Sequence, residues 1–201
     1  VLTLRSSEFK VGAHAPRDFP RDGRPQIAFA GRSNVGKSSL INLLLQRRAL
    51  AKTSRAPGRT QQINFFLING AFWFVDLPGF GYAKVPDKVR EQWRRLVESY
   101  IKHSEALRAV VFLIDARHGP QANDRVLLDW LLALEVPFIP VLTKADKISR
   151  GELARRLREI EREVPVLAAC EPIATSAQTK MGREALWERL DAYVKGIGDK
   201  G

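Results

Sequence analysis

Apolar and polar positions along the chain fall into two alternating kinds of run. Continuous apolar stretches recur at Ile27 to Ala30, Ile63 to Ile68, Ala71 to Val75, Ala109 to Ile114, Val136 to Leu142 and Pro172 to Thr175. Short runs of this kind read as strands buried on both faces. Between them, apolar residues recur at helical spacing: Leu40, Ile41, Leu44 and Leu45; Val89, Trp93, Leu96, Val97, Tyr100 and Ile101; Val126, Leu127, Trp130, Leu131 and Leu134; Leu153, Leu157 and Ile160; Leu186, Leu190, Tyr193 and Val194. These stripes are assigned to core packing, which already explains the spacing of Trp93 and Trp130. Asn69-Gly70 between two apolar runs predicts a hairpin. The alternation predicts an α/β fold with about six mostly parallel strands, one antiparallel strand and helices on both faces.

Proline at 16, 20 and 25 sets off an extended N-terminal arm over 1–24, followed by one domain over 25–195 and a flexible tail over 196–201. Length and a hydrophobic content of 45% suit a single core that needs no disulfide or metal. No apolar stretch approaches the roughly 18 residues of a membrane span. Val1 to Glu8 has no signal-peptide core, and the lone Cys170, read as a small buried residue, cannot form an internal disulfide. A reducing cytoplasm is therefore expected. His14, His103 and His118 have no ligand-like spacing, which argues against zinc.

Charge changes the picture further. Lys and Arg number 33 against 22 Asp and Glu, a formal net charge of +11, which favours a polyanionic partner or an anionic surface without identifying which. The excess is concentrated from Gln46 to Gln62, where Arg47, Arg48, Lys52, Arg55 and Arg59 meet no acid. Gly151 to Glu163 mixes both signs and reads as a solvated helix face.

The candidate chemistry begins at Gly31, Arg32, Ser33, Asn34, Val35, Gly36, Lys37 and Ser38, a complete GxxxxGKS sequence set between a strand and a helix signal. Such a turn points backbone N–H groups at phosphates, and the following helix adds the positive end of its dipole. Lys37 would reach the β and γ phosphates and Ser38 would ligate Mg²⁺. Asp76, Leu77, Pro78 and Gly79 follow the second hairpin strand. Asp76 would hold Mg²⁺ through water while the Gly79 N–H meets the γ-phosphate. Thr143, Lys144, Ala145 and Asp146 follow another buried strand and select the base. Asp146 can accept from guanine N1–H and the exocyclic amine, a donor pair that adenine lacks, and the Lys144 stem can cover the ring. A backbone N–H at Ser176-Ala177 would meet guanine O6. Thr60 is preferred over Thr53 for Mg²⁺ and the attacking water, because Pro57-Gly58 precede it and a strand follows closely.

GRSNVGKSS, PGRTQ, DLPGFGYA, TKAD and TSAQ, in this order and spacing, resemble the EngB (YihA/YsxC) family of bacterial ribosome-biogenesis GTPases, within the Era-like translation-associated group. The resemblance covers nearly the whole chain. It implies a P-loop NTPase of the Ras-like G-domain type, cytoplasmic action in large ribosomal subunit assembly, and a link to cell division and septation. By motif it implies that Gly31 to Ser39 contact GTP or GDP, that Ser38, Thr60 and Asp76 serve Mg²⁺, and that Gly58, Arg59, Thr60, Gln61 and Gln62 form switch I. Asp76 to Gly79 would begin switch II, and Thr143 to Asp146 with Thr175, Ser176 and Ala177 would hold guanine. Catalysis would rest on Lys37, Thr60 and Gly79, in a monomer whose partner is the large ribosomal subunit.

Phe80 follows Gly79 where a water-orienting glutamine often sits. A phenyl ring can neither orient nor polarise water, so slow unaided hydrolysis is expected. Asn34 resembles the asparagine that helps hold K⁺ in related GTPases, where the ion takes the place of an arginine finger. Its other reading, a polar loop residue bonding local backbone, stays open. Weak chemistry beside a basic, nucleotide-sensitive loop favours a binding module timed by GTP over an enzyme valued for turnover. Asp146 argues against an ATP-dependent kinase built on the same loop.

Overall fold

The computed structural model describes residues 3–47, 51, 62–79 and 87–196. The strands are β1 (Ser7–Ala13), β2 (Gln26–Gly31), β3 (Ile63–Ile68), β4 (Phe72–Asp76), β5 (Leu107–Asp115), β6 (Phe138–Thr143) and β7 (Ile173–Ala174). The helices are α1 (Lys37–Leu44), α2 (Asp87–His103), α3 (Ala122–Ala133), α4 (Arg150–Glu163), α5 (Pro165–Ala169) and α6 (Arg183–Val194). All seven strands form one sheet in the order β1-β3-β4-β2-β5-β6-β7. β3 alone runs against its neighbours β1 and β4, and the remaining pairs are parallel.

The apolar runs are continuous because each strand feeds two cores. Ala28 and Ala30 of β2 and Val110, Phe112 and Ile114 of β5 face a core closed by Tyr100 and Ile101 of α2, Leu127, Leu128 and Leu131 of α3, Ile160 of α4 and Leu167 of α5. Ile27, Phe29, Ala109, Val111 and Leu113 face a second core closed by Leu40, Ile41 and Leu44 of α1 and Leu186, Trp187 and Leu190 of α6. Alternate residues thus point to opposite faces, and both faces are dry. Phe29 stacks edge-on against Phe74 at 4.8 Å between centroids. Each such fully buried ring contributes roughly 1.5–3 kcal/mol.

The sheet has one strand more than the six apolar runs predict. The additional strand, β1, comes from the expected arm, pairs with β3 from Ser7↔Ile68 to Ala13↔Ile63, and is bulged between Phe9 and Val11. Phe9 covers Phe66 yet stays 47% exposed. The α3 stripe is also rotated from its expected setting: Val126 is 67% exposed, while Leu128 and Asp124 are buried. Turning the helix inward at Asp124 brings that carboxylate to Arg32. Cys170 is only partly buried, and desolvation raises its thiol pKa.

Because the parallel strands share one direction, their C-terminal ends lie along one edge. Register places Asp76 beside Phe29, Gly31 beside Leu113 and Thr143 beside Asp115. In open α/β sheets this edge, where strand order reverses, is where ligands bind.

Candidate nucleotide site

Gly31 ends β2 in space too small for any other residue. A Cβ there would lie 2.8 Å from Val35 Cγ1 and 3.1 Å from Leu113 Cβ. The chain then turns through Asn34 at φ 63° and Gly36 at φ 104°, and Gly36 caps α1. Asn34 tolerates the left-handed region and glycine adopts it freely, so both residues suit the turn. Lys37 opens α1 and pairs with Asp76 at the end of β4, both side chains largely buried. Ser38 follows it in the first turn of the helix. The Leu77 N–H donates to Phe29 carbonyl at 3.1 Å and its side chain enters the core, so its part in the edge is structural. Gly79 then runs close to the loop: a Cβ on it would lie 3.4 Å from the Ser33 backbone.

The β6 end grips the same loop. Thr143 Oγ1 donates to the Val35 carbonyl at 2.6 Å, and Lys144 Nζ donates to the Asn34 carbonyl at 2.5 Å. Lys144 itself adopts φ 58°. Ala145 is buried, and its N–H donates to the Thr175 carbonyl, while the Thr175 N–H returns to Leu142 at 2.7 Å. Ser176 is fully buried, and its Oγ accepts from the N–H groups of Gln178 and Thr179. A hydrogen bond from the Ser176 hydroxyl is the main cause that lowers the Asp146 carboxyl pKa, with Lys147 adding to it. Asp146 is thereby held as an acceptor beside the TSAQ loop. The motifs at 31–38, 76–79, 143–146 and 175–177 therefore meet along one edge. Ser39 and Ala177 are exposed at its rim.

Other expectations meet the structure differently. Gln62 lies just before β3, whose Asn64 pairs with Asp76 of β4; its side chain donates to Asn64 Oδ1 and packs over Gly12 of β1. Gly58, Arg59, Thr60, Gln61 and Phe80 lie outside the described residues, as do Arg48, Lys52, Thr53 and Arg55 of the basic run.

Two acids that carried no motif prove central. Buried Asp124 accepts from Arg32 Nε at 3.2 Å and from the Gln121 N–H, and burial raises its pKa against those bonds. Asp115, at the end of β5, is desolvated, but hydrogen bonds from Arg117 and Lys144 outweigh that and hold its carboxyl well below the usual carboxylate range. The available signal for Asp115 was an acid directly after a buried strand. Gly182 also carried no motif: at φ 71°, a Cβ on it would lie 2.1 Å from the Ala174 carbonyl beneath the Ser176 loop.

A loop whose carbonyls are engaged from β6, followed at once by a lysine and a helix N-terminus, can take an anion. The family model for the 50S ribosome-binding GTPase matches residues 26–144, and the Elongation factor Tu GTP binding domain model matches residues 95–196. Fold and site thus define a P-loop GTPase. The probable GTP-binding protein EngB of Pelotomaculum thermopropionicum is 48% identical over 96% of this chain and 98% of its own length. That of Lactiplantibacillus plantarum is 43% identical over 97% and 99%. The chain belongs to the EngB family of GTP-binding proteins. A crystal structure of a probable GTP-binding protein engB superposes with a TM-score of 0.70 at 24% identity, covering 85% of this chain and 99% of that one. Era in complex with MgGDPNP and nucleotides of 16S ribosomal RNA gives a TM-score of 0.65 at 24% identity, covering 84% and 56%; both agree in fold. No helix among the described residues is long and apolar enough to cross a membrane.

Proposed function

We propose that this GTPase is a cytoplasmic, monomeric switch whose GTP form docks on the large ribosomal subunit during its assembly, and that this role underlies a link to normal cell division and septation. The observation that carries the nucleotide half is the meeting of Thr143 and Lys144 with the Val35 and Asn34 carbonyls, which couples a base-selecting motif to a phosphate-binding one. The net charge of +11 and the description of the matching family model support the ribosomal half.

In this reading the loop N–H groups from Gly31 to Ser38 surround the phosphates and Lys37 leaves Asp76 for the β and γ phosphates. Asp146 accepts from guanine N1–H and the exocyclic amine, the Lys144 stem covers the ring, and a Ser176-Ala177 N–H reaches O6. Ser38, Asp76 and Thr60 would hold Mg²⁺. Oxygen donors few in number suit that ion, which keeps waters and substrate phosphates as its other ligands. When bound, Mg²⁺ neutralises charge developing on the phosphate oxygens. Thr60 positions the attacking water, whose oxygen bonds to the γ-phosphorus as the β–γ bridging bond breaks, leaving GDP and inorganic phosphate. Gly79, close against Ser33, is placed to report the γ-phosphate through its N–H. Asn34 is assigned as a ligand for K⁺, and Phe80 leaves hydrolysis slow without a partner. Competition against labelled GTP tests the nucleotide reading: excess GDP displaces the label and excess ATP does not, whereas displacement by ATP would overturn it.

A further inference from the structure

Asp115 closes β5 at the nucleotide edge, yet it lies outside every nucleotide motif in the chain. Its carboxylate is nearly inaccessible, with a side-chain exposure of 5%. Oδ1 accepts from the Arg117 N–H at 3.0 Å and from Arg117 Nε at 2.9 Å, while Oδ2 accepts from Arg117 Nη2 at 2.7 Å and Lys144 Nζ at 2.9 Å. The same Lys144 ammonium donates to the Asn34 carbonyl. One ammonium thus bridges a strand-end carboxylate and the phosphate loop. The turn after Asp115 is itself braced, because Arg156 of α4 donates to the carbonyls of Ala116 at 3.3 Å and Arg117 at 2.8 Å. A lysine stem has four flexible carbons, and holding its far end in two places removes freedom that ligand binding would otherwise have to remove.

We propose that Asp115 is a positioning residue for nucleotide binding: its carboxylate anchors the Lys144 ammonium against the Asn34 carbonyl, setting the stem before guanine arrives. This rests on the reading of Lys144 as the residue that covers guanine. Arg117 grips the same carboxylate, but the bond to Oδ1 from its backbone N–H and the Lys144 bond to Oδ2 both survive loss of its side chain. Because the stem meets the ring face and Asp146 reads its edge, the effect is indifferent to the 2-amino group.

Dissociation of fluorescent GDP from the full chain tests this in D115N, K144M, K144A, R117A and the D115N/K144M double variant. D115N and K144M are each expected to release GDP about tenfold faster, the scale of one charge-assisted hydrogen bond. The double variant should be no faster than K144M, and R117A should stay close to wild type. D115N should weaken GDP and inosine diphosphate by the same factor. Wild-type release from D115N and K144M with fast release from K144A would overturn the anchoring while leaving the guanine-covering role of Lys144 intact. Wild-type release from K144A would overturn both. Additive effects in the double variant, or a changed GDP to inosine diphosphate ratio in D115N, would show that Asp115 acts by another route. Should D115N fail to fold, D115S removes the same carboxylate while leaving both Lys144 and its Asn34 contact in the chain; it is expected to release GDP about tenfold faster, and wild-type release from it would overturn the anchoring.

Discussion

The Thr143 hydroxyl lies 2.6 Å from the Val35 carbonyl and 3.2 Å from that of Ile114, so one side chain at the end of β6 ties the phosphate loop to the neighbouring strand. Thr143→Val keeps the shape but removes the donor from buried acceptors. We expect a loss of about 1–3 kcal/mol in urea unfolding together with faster GDP release. Thr143→Ser, which retains the hydroxyl, should restore most of both.

Gly182 supports the loop that carries Ser176. At φ 71°, with the Ala174 carbonyl 2.1 Å from any Cβ, Gly182→Ala must move either that carbonyl or the start of α6. The expected cost is at least about 2 kcal/mol. Since the Ser176 N–H donates to the Met181 carbonyl, guanine nucleotide affinity should fall with it, as a GDP titration would show.

Asp115 gives a pH dependence of known sign. Its folded pKa is depressed, so the unfolded chain binds protons more tightly, and its stabilisation is full above the unfolded value near 3.8 and lost as pH falls toward the folded value. The stability difference between wild type and D115N should therefore be constant from about pH 7 to 5 and shrink below about pH 4. Denaturant unfolding across this range checks it, and a difference that grows on acidification would have the wrong sign.

Much of this was legible in the sequence, for physical reasons. Strands such as Ala109 to Ile114 are read easily because burial on both faces leaves no polar interruption. The phosphate-loop motif is legible because backbone geometry at Gly31 and Gly36 demands fixed residue spacing. β1 was not, because Glu8 and Lys10 flank a half-exposed Phe9 and a bulge breaks its alternation. In α3, Leu127 and Leu128 fit two helical settings equally, and the choice was made by Asp124, an acid that the hydrophobic pattern scores as surface. Asp115 carried a local mark, an acid directly after a buried strand, but its link to Lys144, 29 residues away, did not.

With Phe80 after Gly79, purified protein should hydrolyse GTP slowly, on the order of 10⁻³ s⁻¹ or below. If Asn34 helps hold K⁺, turnover in KCl should exceed that in NaCl, and Asn34→Ala should abolish the difference. Equal rates in the two salts would remove the ion from the mechanism, and fast turnover of the isolated protein would contradict the role given to Phe80.

The switch itself is tested by co-sedimentation with purified large ribosomal subunits, using protein loaded with a non-hydrolysable GTP analogue, with GDP, or left free of nucleotide, across a salt series. The account predicts tight, strongly salt-dependent binding in the analogue-bound state and much weaker binding with GDP. Equal affinity in the GTP-analogue and GDP states would contradict it.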